Sequence, residues 1–322
     1  MHDNFENVKV FDAHSDLPTL IWERRGAGFR KEPESLILER EKERFFQNVA
    51  SRVMSVWTPL DKRGWPTVYA FEAFNRLIRD VDESSSFDIV TTVKEMDESL
   101  KAGRIALWLG MEGGEPLGES LDLLDVFYRL GLRVLTLTWS LRNALGDGAF
   151  ERTGGGLSSF GVEVVGRCEE LGVLVDVSHL NERGFWDTLD VTSFPVIASH
   201  SNARALRDHV RNLNDDQIKA IAERDGVIGA IAVPSFMGDA PSIDDYVAHV
   251  TYMVDLVGYR HVGFGFDFTY YLKGLAGNGI RGFENEADIP VLLRKLGENL
   301  SEKELRAIAI ENFRRVFERV VG

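Results

Sequence analysis

Eight short apolar runs recur along the chain with amphipathic stretches between them, and this alternation limits the fold more than any other feature. The runs are residues 8–13, 49–57, 104–111, 133–138, 173–178, 195–199, 226–233 and 261–266. Each is too short for a core helix and suits a strand buried on both faces. Stretches such as 118–130, 159–171, 214–224 and 243–257 carry apolar residues at helical spacing. Strands alternating with helices imply parallel pairing through crossovers. Eight in unbroken series fit a (β/α)8 TIM barrel better than an open sheet. No linker-like change of composition divides residues 1–322, so one domain is expected. The C-terminal ELRAIAIENFRRVFERVVG is expected to form a helix on the outside of the barrel. The charged segment 25–47 and the glycine-rich segment 145–157 are expected as loops over its mouth.

The residues that close these runs are unusual. The first run continues as VKVFDAHSDLP, placing Asp12, His14 and Asp16 at spacing two, which on a regular strand is one face. The third run ends in Glu112, the fifth in His179, the sixth in His200 and the eighth in Asp267. In a barrel the carboxyl ends of all strands converge on one mouth, so five distant segments would meet there. Three neutral imidazoles and three carboxylates make an N/O donor set suited to zinc or a similar divalent ion. That many donors fit two ions about 3.5 Å apart, bridged by a carboxylate, better than one. Taken singly, each residue has an ordinary reading: a hydrogen-bonded histidine, or an acid capping the next helix. Their coincidence at successive strand ends favours a metal site, because burying so many ionisable groups without an ion is costly.

The other histidines serve as a control. His261 opens the eighth run, at the end opposite the mouth, His249 lies in a helical stretch, His209 in a charged loop and His2 at the start of the chain; none is assigned a ligand role. Asp12 reads as a buried structural acid or a support beneath His14. In the eighth run Gly263, Gly265 and Asp267 share one face, and Phe264 and Phe266 the other. The glycines are expected to clear space beneath Asp267, with the phenylalanines against outer helices.

A formal charge of -14 argues against nucleic acid and anionic membranes as partners. The single cysteine, Cys168, allows no intrachain disulfide and falls at core spacing. Neither a signal peptide nor an apolar run of about 20 residues is read in the chain. The expectation is a soluble, cytoplasmic protein.

In order, DAHSDLP, MEGGEPL, LTLTW, GLSSFGVEVVGRCEELGVLVDVSH, PVIASHSNARAL, RNLNDDQIKAIAERDGVIG and HVGFGFDF resemble the renal, or membrane, dipeptidases of peptidase family M19, within the amidohydrolase superfamily. The resemblance runs nearly the whole chain. It implies one zinc held by His14, Asp16 and Glu112, and a second held by Glu112, His179 and His200. It implies that Asp267 binds or sits beside the first ion and handles the proton, and that Arg211 grips the substrate's terminal carboxylate. The implied reaction is hydrolysis of a dipeptide by a metal-bridging hydroxide, with a D-residue tolerated at the C-terminal position; the family's dimers imply a homodimer. One position departs from the pattern. Where the eukaryotic enzymes carry a histidine that contacts the substrate carbonyl, this chain has Trp139, so Asn143 or Arg142 substitutes for it or the substrate differs. Two other readings therefore stay open: a binuclear metal hydrolase for another amide or a lactone, and a non-catalytic metal-binding barrel.

Overall fold

The computed structural model describes residues 8–26, 34–272 and 279–322; His2 lies outside them. Nine parallel strands are found among these residues: β1 (Val10–Ser15), β2 (Val49–Trp57), β3 (Phe87–Val90), β4 (Ile105–Glu112), β5 (Leu132–Thr136), β6 (Leu174–Asp176), β7 (Ile197–Ala198), β8 (Val227–Ala230) and β9 (Val262–Phe264). Eight close a ring in the order β1–β2–β4–β5–β6–β7–β8–β9, with β9 pairing back to β1 and β2 to β4. The expected TIM barrel is therefore present. β3 pairs only with the first half of β4, residues 105–108, while β5 pairs with residues 109–112. This strand is missing from the expected set because its sequence, FDIV, is brief and carries a charge.

Two layers of core arise from strand alternation. One face of the ring packs on the surrounding helices. The other contributes Phe11, Val53, Trp108, Val134, Leu174, Ile197 and Val227 to a single cluster, which only the barrel interior can assemble from so many strands. Phe313, Val316 and Phe317 of the final helix Asn312–Val320 belong to that same cluster. Phe313 stacks on Phe11 at 5.4 Å, and Phe317 meets Trp108 at 4.5 Å between ring centroids. The tail therefore plugs the floor of the barrel rather than lying outside it. Gly263 makes the room, since a Cβ there would sit 2.5 Å from the Phe313 ring. Gly265 permits backbone contact, its Cβ position lying 1.7 Å from the Ser199 carbonyl oxygen. These two close approaches, rather than space beneath Asp267, are what the glycines serve. Phe264 and Phe266 do face the helical layer, where Phe266 packs on Phe283.

The segment before β2 also departs from expectation. Its described part forms the short helices Ile37–Arg40 and Lys42–Phe45, tied to Asp80 near the end of helix Pro66–Asp82 and leading into the first residues of β2. It lies at the strand-start end, because the chain must return there from helix Leu17–Arg25 to begin β2; residues 27–33 fall outside the described set. Segment 145–157 does lie at the mouth, where Ala149 N donates to His179 O and Asn181 N to Asp147 O. Among the described residues no helix is long and apolar enough to cross a membrane. Cys168 is free and buried.

Candidate active site

β1, β4, β6, β7 and β9 deliver one cluster to the mouth. Glu112, the last residue of β4, stands at its centre. Its Oε1 lies 2.8 Å from His179 Nε2, 3.5 Å from His200 Nε2 and 3.7 Å from His14 Nε2. His14 Nε2 is also 3.8 Å from Asp16 Oδ1 and 3.9 Å from Asp267 Oδ1. All six expected ligands are thus brought together, with His14 shared between a group containing Glu112 and His200 and one containing Asp16 and Asp267.

Local structure favours a ligand role over the ordinary readings. Asp16 occupies the N-cap position of helix Leu17–Arg25, yet its side chain makes no capping bond. His179 and Asp267 both hold left-handed backbone angles, φ 70° and 54°. Such conformations cost a non-glycine residue about 1–2 kcal/mol and concentrate where a site fixes a side chain. Each imidazole is oriented by a serine hydroxyl at Nδ1: Ser55 on His14 at 3.3 Å, Ser140 on His179 at 3.1 Å and Ser199 on His200 at 2.7 Å. That leaves Nε2 of all three turned inward. Fixing one ring nitrogen so that the other offers its lone pair is how metal-binding histidines are held.

Residues without an obvious sequence signal complete the support. Asp176 is fully buried and accepts from Thr136 Oγ1, Ser199 Oγ and the backbone N–H of Ser178 and Ser199. A lone acid inside the run VLVDVS gives no hint of this. Asp12 does not join the cluster: it pairs with Arg52 Nε at 2.9 Å and accepts from Phe266 N and His14 N. The β1–β2 register shifts between Asp12 and Ser15, which breaks the spacing-two alternation. Arg52 in turn pairs with Glu286 at 2.8 Å. Asp12 is thus a buried acid bracing the backbone beside His14 and Asp267.

Electrostatics sharpen the picture. Burial, reinforced by neighbouring acids, raises the carboxyls of Glu112 and Asp267 well above their usual range. Burial pushes Asp16 up to about 7. It pushes His14 down to about 3 and His179 and His200 well below the ordinary imidazole value. His14 Nε2, Asp16 Oδ1 and Asp267 Oδ1 are buried without a hydrogen-bond partner among the described residues, and His179 Nε2 faces His200 Nε2 at 2.8 Å. Neutral imidazoles and orphaned carboxylate oxygens converging in this way fit divalent cations.

A cavity of about 570 Å³ opens above Asp16, Glu112, His179 and Asp267. Trp139 lines it. Arg211 is buried beside it, its guanidinium 5.5 Å from the ring of Phe236, a lining residue, and its Nη2 on the His200 carbonyl. Burial lowers the Arg211 pKa to about 10. Asn143 and Arg142 do not reach the cavity. Asn143 Nδ2 donates to Leu137 O and its Oδ1 accepts from Leu145 N, while Arg142 pairs with Asp147. Asn143 thus holds the backbone of its own turn, and Arg142 ties that turn to the Asp147 and Thr153 side chains.

The membrane dipeptidase family, peptidase family M19, matches residues 1–321. The chain belongs to that family. A metallopeptidase of family M19, dipeptidase AC, superposes with a TM-score of 0.86 at 27% identity, covering 98% of this chain and 100% of that one. A metallopeptidase from Rhodobacter sphaeroides, solved with a phosphinate mimic of the dipeptide L-Ala-D-Ala, gives 0.85 at 25% identity, covering 98% and 99%. In sequence, the chain is 35% identical over 227 residues to a Schizosaccharomyces pombe protein named as an uncharacterised dipeptidase, covering 67% of this chain and 53% of that protein. It is 36% identical over 200 residues to dipeptidase aclJ of Aspergillus oryzae, covering 60% and 46%. The match spans about half the length of these two relatives.

Proposed function

We propose that this chain is a divalent-metal dipeptidase, acting as one domain, that holds two Zn2+ ions and hydrolyses the single peptide bond of a dipeptide. The observation that carries the reading is the convergence of three inward Nε2 atoms and three carboxylates, with orphaned buried oxygens, under one cavity. His14 and Asp16 would hold one ion and His179 and His200 the other, with Glu112 placed within reach of both groups. Such ions supply a water whose pKa falls from 15.7 toward about 7 and polarise a carbonyl oxygen.

The chain's own groups do the rest. Asp267, with Oδ1 turned toward His14, takes the proton of the attacking water and returns it to the leaving amine. Burial and neighbouring acids raise its carboxyl pKa in the protein alone; a bound cation would lower it again, leaving a group that passes the proton on. Arg211 directs its charge and an unpartnered Nε–H to the substrate's terminal carboxylate. A phosphinate mimic of L-Ala-D-Ala in the Rhodobacter sphaeroides relative supports acceptance of a D-residue at the C-terminal position. Trp139 on the cavity wall keeps one second reading in view, a different amide or a lactone as substrate.

Amino-acid release from a dipeptide library that includes L–D members, with Zn2+-reconstituted protein against a chelated control, tests the proposal. Zinc-dependent release is expected. Release of nothing by folded, metal-loaded protein overturns the dipeptidase reading and leaves the other amide or lactone.

A further inference from the structure

The walls of the cavity differ sharply from its floor. Among the described residues, the ionisable side chains that line it, Asp16, Glu112, His179 and Asp267, all belong to the cluster at the bottom, and none that lines it is Lys or Arg. One wall is a pair of indoles: Trp57, at the end of β2, lies 5.2 Å from Trp139, whose ring is 6.2 Å from His179. Facing residues are Phe150, from the glycine-rich loop, and Phe236, from the turn after β8; both rings pack on His209, at 5.9 and 4.6 Å. At the rim Leu60, Leu141 and Phe150 are 56%, 37% and 48% exposed. Large apolar side chains left in water around one opening mark a surface that a ligand covers. Trp57 adds a directional feature: its Nε1–H is buried and has no hydrogen-bond partner among the described residues.

We propose that the substrates of this site are dipeptides with large uncharged apolar or aromatic side chains, selected by the Trp57–Trp139 wall and Phe150, with the Trp57 N–H donating to a carbonyl or carboxylate oxygen of the substrate. This rests on the dipeptide reading above. The physical reason is an asymmetry. An apolar side chain entering the cavity gains burial against indole and phenyl faces, whereas a charged one loses water and meets no counter-charge among the described residues of the walls. Each added methylene in such a pocket is worth severalfold, so leucyl or phenylalanyl dipeptides should exceed alanyl ones by tenfold or more.

Two readouts decide it. The first is kcat/KM of the metal-loaded protein on matched dipeptides carrying Leu, Phe, Ala, Lys or Glu. The second is binding of the same panel to metal-loaded Asp267→Asn, followed by indole fluorescence, which needs no turnover. The expected order in both is Phe and Leu above Ala, and Ala above Lys and Glu. Phe150→Ala, at an exposed position that the fold does not depend on, should compress the Phe-to-Ala ratio at least threefold. Trp57→Phe keeps the ring but removes the donor, and should weaken binding of all members alike. Equal values across the panel, a preference for charged members, or a ratio unmoved by Phe150→Ala would overturn the inference while leaving a dipeptidase intact. Absence of hydrolysis with the expected order in binding would sink the dipeptidase reading and leave the apolar selectivity standing.

Discussion

Asp176 touches neither substrate nor ion, yet its replacement by Asn should weaken the hold on an ion. Its Oδ2 accepts from Thr136 Oγ1 and Ser199 Oγ, each at 2.6 Å, and its Oδ1 from Ser178 N at 3.0 Å and Ser199 N at 2.8 Å. The Ser199 hydroxyl directs its proton to Asp176. Its oxygen is then left to accept from His200 Nδ1–H at 2.7 Å, which puts the lone pair on Nε2, facing Glu112. In Asp176→Asn the Oδ1 side must remain oxygen, since two backbone N–H groups point at it. The new NH2 therefore faces Ser199, which now accepts from it and donates to Nδ1. The ring proton moves to Nε2, where it blocks the ligand lone pair. Loss of a group supporting a metal-binding histidine costs about 10–100-fold in affinity, and a misplaced proton belongs at the upper end. Fold stability should fall by only about 1–3 kcal/mol, because shape is kept and one charged acceptor is lost. Calorimetric titration of stripped protein with Zn2+, beside a thermal melt, reads both quantities. One binding event should weaken about 100-fold while the other persists. Unchanged affinity at both events would refute the tautomer argument.

The geometry sets three further outcomes. Arg52→Leu leaves Asp12 and Glu286 buried without their cation and should cost about 3–5 kcal/mol in a urea melt; a loss under 1 kcal/mol would contradict it. Gly263→Ala presses a methyl on Phe313 and should cost about 1–3 kcal/mol, part of it recovered in the double variant with Phe313→Leu; strictly additive losses would mean that the two residues do not meet. Chelated protein should lose thermal stability as pH rises from 7.5 to 8.5. Asp16, raised to about 7, and Glu112 and Asp267, raised well above the carboxylate range, keep protons in the folded state that the unfolded chain has lost, so stability falls until pH passes their folded values. The buried histidines, depressed in the fold, oppose this limb only until their unfolded value of about 6.5 is passed by about one unit, which is why it is read from pH 7.5 upward. A flat melting temperature over this range in chelated protein would contradict the assignment.

The barrel and the cluster of imidazoles and carboxylates at its mouth are legible because both rest on simple periodicities. Near-continuous apolar runs identify strands buried on both faces, and in a parallel barrel every strand end reaches the same mouth. His14, Asp16, Glu112, His179, His200 and Asp267 could therefore be grouped before any contact between them was known. What stayed hidden depends on partners distant in sequence. The apolar stripe of Asn312–Val320 reads the same whether the helix lies on the barrel wall or fills its floor; the choice is made by Gly263 and the rings of Phe11 and Trp108. Asp12 shares the spacing of His14, but a register shift in β1 and the charge of Arg52 turn it to another task. Ser55, Ser140 and Ser199 are ordinary serines until each is seen on an imidazole Nδ1. Asn143 looked available for a substrate, and the structure engages its amide within its own turn.

The most direct test of the metal assignment is a count. Chelator-stripped protein is titrated with Zn2+ and the ions bound per chain are measured, for the wild type and for Glu112→Gln. Two ions per chain are expected, and because Glu112 sits nearest both halves of the cluster, Glu112→Gln should weaken the two events together. Binding of no ion, or loss of one event with the other untouched, would contradict a shared carboxylate at the centre of the site.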